Sequence, residues 1–423
     1  MKLSIKTVGR ITGFAAMLLA ALPTAAQEQL TYQEQLARAG DAFQAEDWIA
    51  LNDHLDAAQE IRTYSLYVWR NRIIARMLAG RDSEALALAE TAARRGLVLD
   101  LSGHPAFEQL AALPEFAPIA ERMEKNAAPI GDARFDFENA NAGLLPEALA
   151  YDRKNNGYIG SVRTGSVLKL ENKNKLSLFT TATGGVFDIE VRGRTLWAAV
   201  NNQLAYENAD PEAPFASVMA FNTNTGGINR EIRVSEDCAL LGDLEVAKDG
   251  TVYASDSLTP RLFRMAPKGQ TLDIYAEDAR FANLQGIALD EKNSRIFVAD
   301  YLTGLFVIDT NTGAVTAIEN TADAHLGGID GLYLYDDSLI GIQNGTTPQR
   351  IIRIGLNDDA TEVTTFITMQ QALEEWNEPT HGAVVGDEFR YIATSNWPSY
   401  DQEWNVREDA ELQPVRIMSL PLK

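Results

Sequence analysis

The sequence predicts a multidomain α + β chain: a small all-α helical-repeat domain followed by a six-bladed β-propeller. Three observations carry that prediction. The period of the apolar residues falls from three-and-four to two shortly after Lys125. The second half contains six related segments, each opening on a polar residue. At 423 residues and 46% hydrophobic, the chain is long and apolar enough for two domains and a large core.

The first element in order is an address. Lys2, Lys6 and Arg10 form a basic start, Ile11 to Leu22 is an apolar run of twelve, and Thr24-Ala25-Ala26 offers small residues for cleavage before Gln27. The run falls short of the ~20 residues that span a membrane. We therefore expect a signal peptide over 1–26, a periplasmic or secreted mature chain, and no membrane span after cleavage.

From Tyr32 to Met123 the pattern is helical, with Leu36, Ala39 and Phe43 and then Ile73, Ile74, Met77 and Leu78 at three- and four-residue spacing. Phe43-Gln44-Ala45-Glu46-Asp47-Trp48 and Met77-Leu78-Ala79-Gly80-Arg81-Asp82 begin 34 residues apart, each between predicted helices. That period and turn chemistry resemble tetratricopeptide repeats. His104-Pro105-Ala106-Phe107 through Leu113-Pro114-Glu115-Phe116 reads as a terminal helix pair. The domain covers 27–126 and has two readings: a protein-docking groove, or a bundle packed on its neighbour. A linker is expected over Asn126 to Gly131, with the propeller over 133–423.

The six repeats start at Glu147, Asp188, Asp243, Gln285, Asp330 and His381, separated by 41, 55, 42, 45 and 51 residues. Each polar residue precedes an alternating apolar strand, a second strand such as Ile296-Phe-Val-Ala, and a third such as Leu305-Phe-Val-Ile. A weaker fourth strand follows, as in Ser177-Leu-Phe-Thr. Units of 40 to 55 residues with four strands each describe propeller blades. The sixth unit runs out at Lys423 after three strands. Arg134-Phe-Asp-Phe, just before the first repeat, is the piece that would complete it and hide its edge.

First strands line the channel of a propeller, so the six polar residues gather at one mouth. Converging carboxylates repel unless a cation sits among them. Oxygen ligands without cysteine favour Ca²⁺ over Zn²⁺; hydrated channel lining is the plainer alternative. The formal charge of −22 excludes a nucleic-acid partner, because phosphate binding needs a basic stripe, and disfavours an anionic membrane surface. Cys238 is the single cysteine, so no intrachain disulfide or Cys-rich metal site exists. His-Glu-x-x-His, Cys-x-x-Cys and Gly-x-Ser-x-Gly are absent.

Over roughly Arg134 to Lys423 the chain resembles the senescence-marker-protein/gluconolactonase/luciferin-regenerating (regucalcin-like) superfamily and, more distantly, paraoxonases. The resemblance rests on Leu145-Pro-Glu-Ala-Leu-Ala-Tyr-Asp, Asn283-Leu-Gln-Gly-Ile-Ala-Leu-Asp and Gly328-Ile-Asp-Gly-Leu-Tyr-Leu. It implies a divalent cation, often Ca²⁺, held by Glu147, Asp243, Gln285 and Asp330. Gln285 departs from the Asn of the family pattern. Asp188, Asp330 and His381 are the expected acid/base candidates.

Long connections are expected from Asn201 to Phe215 and from Asn396 to Gln413, at the same mouth. The second carries Trp397, Tyr400 and Trp404, which suit a lactone, ester or sugar-like ligand, or else pack on each other as a folded lid. The leading expectation is an exported metal-dependent hydrolase of a lactone or ester. The alternative is a non-catalytic module whose helical domain docks a protein while the propeller binds a ligand. A strictosidine-synthase-like condensing enzyme is a third reading that has no need of the acidic ring.

Overall fold

The computed structural model describes residues 30–203, 205–234 and 239–423. The expected signal segment over 1–26 and Cys238 lie outside the described residues. Among these, no helix is long and apolar enough to cross a membrane.

Among the described residues six α-helices come first: α1 (Tyr32–Gln44), α2 (Trp48–Ile61), α3 (Leu66–Leu78), α4 (Asp82–Arg94), α5 (Pro105–Ala111) and α6 (Ala117–Ala127). Their starts follow from local chemistry. Thr31 and Glu34 form a capping box on α1, Asp47 accepts from the Ala50 N–H on α2, and Ser65 from that of Val68 on α3. The repeat noted above returns in the backbone. Glu46 and Gly80, at equivalent places in the two turns, both take positive φ, +55° and +68°. Small residues at the contacts, Ala39, Ala58, Ala75, Ala85 and Ala89, let the helices approach closely.

The second half is the six-bladed propeller. Blade one holds Pro146–Tyr151, Gly157–Ser161, Ser166–Glu171 and Lys175–Thr181; blade two Gly185–Arg192, Thr195–Asn201, Ala216–Asn222 and Ile228–Arg233. Blade three holds Leu241–Val246, Val252–Asp256, Arg261–Met265 and Asp273–Ala276; blade four Leu284–Asp290, Arg295–Asp300, Gly304–Asp309 and Val315–Ala317. Blade five comprises Ile329–Tyr335, Ser338–Gln343, Arg350–Leu356 and Glu362–Gln371, with Glu319–Asn320 added in parallel at its outer edge. Blade six joins Gly382–Val385, Glu388–Ile392 and Val415–Pro421 to Phe135–Asn139, so its outer strand comes from before blade one. The alternating apolar positions pack blade against blade. Each of the six interfaces has its own buried cluster, as with Val186 and Ile189 against Ala148 and Tyr158, or Ile392 and Val415 against Leu149 and Ile159.

Second strands end in buried polar side chains that hold the loop leading into their own blade. Asp256 accepts from the Leu240 N–H at 3.0 Å, and Asp300 from Ala282 and Asn283 at 2.6 and 2.8 Å. In blade five Gln343 donates to the carbonyls of His325 and Gly327 at 2.8 and 2.7 Å. These latches fix the face on which first strands begin.

The helical domain packs onto that same face over blades four and five. The Tyr64 N–H donates to Leu302 O at 2.9 Å and that of Val98 to Thr347 O at 2.7 Å, and Arg95 bonds Asp323. The segment expected as a linker is tied down. Ile130 pairs with Gln371, whose amide also donates to the carbonyls of Asn126 and Ala128.

Candidate active site at the channel mouth

The strand pairing of blades one to five slips at the start of each first strand, between Pro146/Ala148, Val186/Asp188, Leu241/Leu244, Leu284/Ile287 and Ile329/Leu332. A β-bulge lets two successive side chains reach the channel instead of alternating across the sheet. The bulge also separates the expected ligands. Leu244, Ile287 and Leu332 are equivalent, pairing with Ala254, Val298 and Gly341. Asp243 stands one residue before Leu244, whereas Gln285 and Asp330 stand two before Ile287 and Leu332. The position matching Asp243 is Gly286 in blade four and Gly331 in blade five. No side chain fits there: a Cβ on Gly286 would collide with the Leu332 amide, and one on Gly331 with the Tyr333 hydroxyl.

Two levels result. At the inner one, Asp188 and Asp243 lie side by side with His381. Among the described residues these three form the group whose ligand atoms all fall within 4.8 Å of one another. Each carboxylate is aimed by a backbone N–H of the next blade: Asp188 Oδ2 accepts from Leu244 at 3.0 Å, and Asp243 Oδ2 from Ile287 at 2.9 Å. Burial, helped by the neighbouring carboxylate, pushes Asp243 well above the usual carboxylate range; burial raises Asp188 to about 7. His381 Nδ1 lies 2.6 Å from the backbone carbonyl of Glu147. A carbonyl only accepts, so Nδ1 carries the hydrogen, and in the neutral ring Nε2 keeps its lone pair.

At the outer level are Glu147, Gln285 and Asp330. Glu147 is buried and raised well above its ordinary value, first by desolvation and then by Asp330; its Oε2 accepts from Trp397 Nε1 at 2.6 Å. Asp330 Oδ2 accepts from Asn344 at 2.7 Å, and Asn344 in turn accepts from the Tyr301 hydroxyl at 3.0 Å. Burial raises Asp330 as well, with His381 and Asn344 opposing. Gln285 turns its amide N–H to Asn283 Oδ1 at 2.8 Å.

The three aromatics of the blade-six connection differ in setting. Trp397 reaches the mouth and touches Phe187, with ring centroids 6.4 Å apart. Trp404 packs edge-on against Trp397 at 5.6 Å. Tyr400 is buried beneath the Arg163 guanidinium, which also bonds the Trp404 carbonyl. The connection is a folded lid in which Trp397 alone of the three bonds a ring carboxylate.

Sequence reading missed several groups. Glu190 and Glu245 lie two residues beyond Asp188 and Asp243 on the same channel face, and accept from the amides of Val246 and Leu289. Their spacing of two was the available signal. Burial lifts Glu190 to about 7 and Glu245 well above its usual range. Tyr333, beside Asp243 and Asp188, accepts from the Gly382 N–H at 2.7 Å. Glu378, raised to about 7 by burial and then by Asp330, lies outside every repeat; no pattern announced it.

No family model matches the chain, and no curated protein matches it. Solved structures with a similar fold include the PQQ-bound form of an aldose sugar dehydrogenase from Streptomyces coelicolor, 14% identical with a TM-score of 0.48, covering 70% of this chain and 99% of that one. A luciferin-regenerating enzyme is 11% identical with a TM-score of 0.48, covering 69% and 95%. A gluconolactonase from Xanthomonas campestris is 12% identical with a TM-score of 0.46, covering 70% and 92%. At these identities the likeness concerns the fold alone.

Proposed function

We propose that the chain is an exported, metal-dependent hydrolase of a lactone or ester. The observation that carries this reading is the buried Asp188–Asp243–His381 group at the mouth of the channel. The donor set fits a divalent cation. Asp188 and Asp243 each commit one oxygen to a backbone N–H and retain the other, and His381 retains Nε2. Ca²⁺ follows from an all-oxygen ring; with an imidazole among the donors, Mn²⁺ or Zn²⁺ suits the group as well. A bound ion would polarise a carbonyl and steady the developing oxyanion.

The chain's own groups do the rest. Asp330 is the candidate base, since Asn344 holds Oδ2 and leaves Oδ1 for a water. Glu147 and Trp397 shape the outer wall. Gln285, engaged with Asn283, is a weaker candidate ligand than its place in the repeat suggests. The test is metal analysis of the purified mature protein, then a panel of lactones and esters assayed with the parent, Asp188→Asn and Asp330→Asn. A metal-free protein that hydrolyses none of them would sink the proposal. Export is tested by N-terminal sequencing of the secreted fraction, where the mature chain should begin at Gln27.

One observation favours a second reading, a non-catalytic ligand-binding propeller with a helical domain that docks a protein. The lid is closed, with Trp397 bonded to Glu147 and packed on Trp404. On this reading the panel stays silent while a ligand still raises the melting temperature.

A further inference from the structure

The helical domain and blade five meet around a buried arginine. Arg350, at the start of the third strand of blade five, is 1% exposed. Its guanidinium reaches out of the propeller into the turn that follows α4. There Nη1 donates to the Arg95 carbonyl at 3.2 Å, while Nε donates to Gln343 Oε1 at 2.9 Å. Gly96 makes room for it: a Cβ at that position would stand 2.7 Å from Nη1.

The charge brought in this way is not answered. Among the described residues no carboxylate pairs with Arg350, and burial alone lowers it to about 10. Arg94 and Arg95 lie at the same interface and share Asp323. Three guanidiniums therefore meet one carboxylate. The carbonyl at the end of α4 offers Arg350 no more than the partial negative charge of a helix C-terminus.

Two buried polar atoms are also left without a partner. One is Arg350 Nη2 and the other is Nδ1 of His325, itself 1% exposed. Gln343 couples the two side chains, donating to the His325 carbonyl at 2.8 Å and accepting from Arg350. The imidazole is near enough for the Arg350 charge to disfavour its protonation. Buried donors are almost always satisfied, and a buried charge is paired or costly. A water would answer the hydrogen bonds and leave the charge. An anion answers both, with Nδ1–H and Nη2–H as its donors. Tyr64 and Trp69 close on the imidazole, with ring centroids 5.1 and 6.3 Å away, and Phe366 lies against the guanidinium at 5.4 Å. This apolar enclosure suits a compact ion better than a phosphate or an organic acid.

We propose that the interface between the helical domain and blade five binds a small monovalent anion, chloride in ordinary salt, through Arg350 and His325. The site is independent of the hydrolase reading, which rests on other residues. The formal charge of −22 repels anions at long range, so binding draws on this local excess of arginine.

Thermal melts of the full mature protein test it, in sodium chloride or bromide against sodium methanesulfonate at equal ionic strength. Chloride and bromide should raise the melting temperature saturably, and methanesulfonate should not. Arg350→Met should abolish the rise. His325→Phe, which keeps a ring against Tyr64 and removes Nδ1, should fold and weaken chloride binding at least ten-fold, so the test stays decisive where Arg350→Met fails to fold. Crystals grown in bromide locate the ion by anomalous scattering, with the peak expected beside Arg350 Nη2 and His325 Nδ1. A melting temperature indifferent to the halide or a parent-like response in His325→Phe would overturn the proposal. So would a water, or a direct bond between Nη2 and Nδ1, where the bromide should be.

Discussion

His381 and Glu147 are joined across the closure of the ring: the imidazole of the last blade donates from Nδ1 to the backbone carbonyl of the first at 2.6 Å. One bond therefore closes the channel wall and leaves Nε2 as the nitrogen available to the Asp188–Asp243–His381 group. His381→Asn separates the two roles, because its amide can reproduce the Nδ1 donor but not Nε2. The variant should fold with little loss of stability and lose the melting-temperature rise produced by divalent cations. His381→Ala should lose both, at about 1–3 kcal/mol for a buried carbonyl left without its donor. Paired thermal melts with and without metal read the difference.

The buried acids set a pH dependence. Asp188, Glu190 and Glu378 sit near 7 in the folded chain, mainly through burial, against about 4 when unfolded. Their folded values are raised, so between these limits the folded state holds more protons and stability falls as pH rises. The chelator-treated protein should melt higher at pH 5 than at pH 8. Asp188→Asn should flatten that slope, and a saturating divalent cation should flatten or invert it. A chelated protein equally stable at both values would mean that these carboxyls are better solvated than their burial indicates.

Blade number, strand order and the borrowed closing strand were legible because each depends on period-two alternation repeated six times. The helix–turn–helix repeat was legible because two turns with small residues stand 34 residues apart, and the structure gives both a positive φ at the equivalent Glu46 and Gly80. The geometry of the mouth was not. Aligning Asp243 with Gln285 and Asp330 hides the bulge that sets them one residue apart, and a bulge leaves no mark in the hydrophobic pattern. Gly286 and Gly331 were the readable sign, since a glycine beside a polar residue at a strand start signals close backbone approach. The latches Asp256, Asp300 and Gln343 were similarly hidden, because strand-ending polar residues read as turn formers.

Trp397 is the donor to Glu147, at 2.6 Å. Trp397→Phe should keep the ring packing on Phe187 and Trp404 while leaving a buried carboxyl without that bond. We expect a loss of about 1–3 kcal/mol at neutral pH. Burial favours the protonated form of Glu147, so the loss should be smaller in acid than in alkali, where the carboxylate needs the donor most. Urea melts at two pH values measure it, and an equal loss at both would assign the effect to packing.

Closure depends on Phe135–Asn139. Phe137 is buried between blades six and one, and Asp136 and Glu138 pair with Arg390 and Arg416. Phe137→Ala should cost about 3–5 kcal/mol. Deleting 132–138 should expose the edge of Val415–Pro421 and cause aggregation. A deletion variant that remains monomeric and melts like the parent would show that this strand is dispensable.

Docking of the helical domain turns on Tyr64. Its ring meets His325 edge-on with centroids 5.1 Å apart, its hydroxyl accepts from Asn320 at 3.1 Å, and its Cβ fills the space that a side chain on Gly327 would need. His325 is buried there beside Arg350 and Arg95, and burial followed by those two charges lowers it to about 3. The interface is therefore built around a neutral imidazole and has no room for a methyl group on Gly327. Gly327→Ala should separate the helical domain from blades four and five while leaving both sets of elements folded. Limited proteolysis should then cut near 128–133, and calorimetry should show two transitions in place of one. Tyr64→Phe, which keeps the ring and loses only the hydroxyl bond, should remain a single cooperative unit. If Gly327→Ala also melts in one step and resists the protease, the bonds from Val98, Arg95 and Gln371 hold the domain without Tyr64.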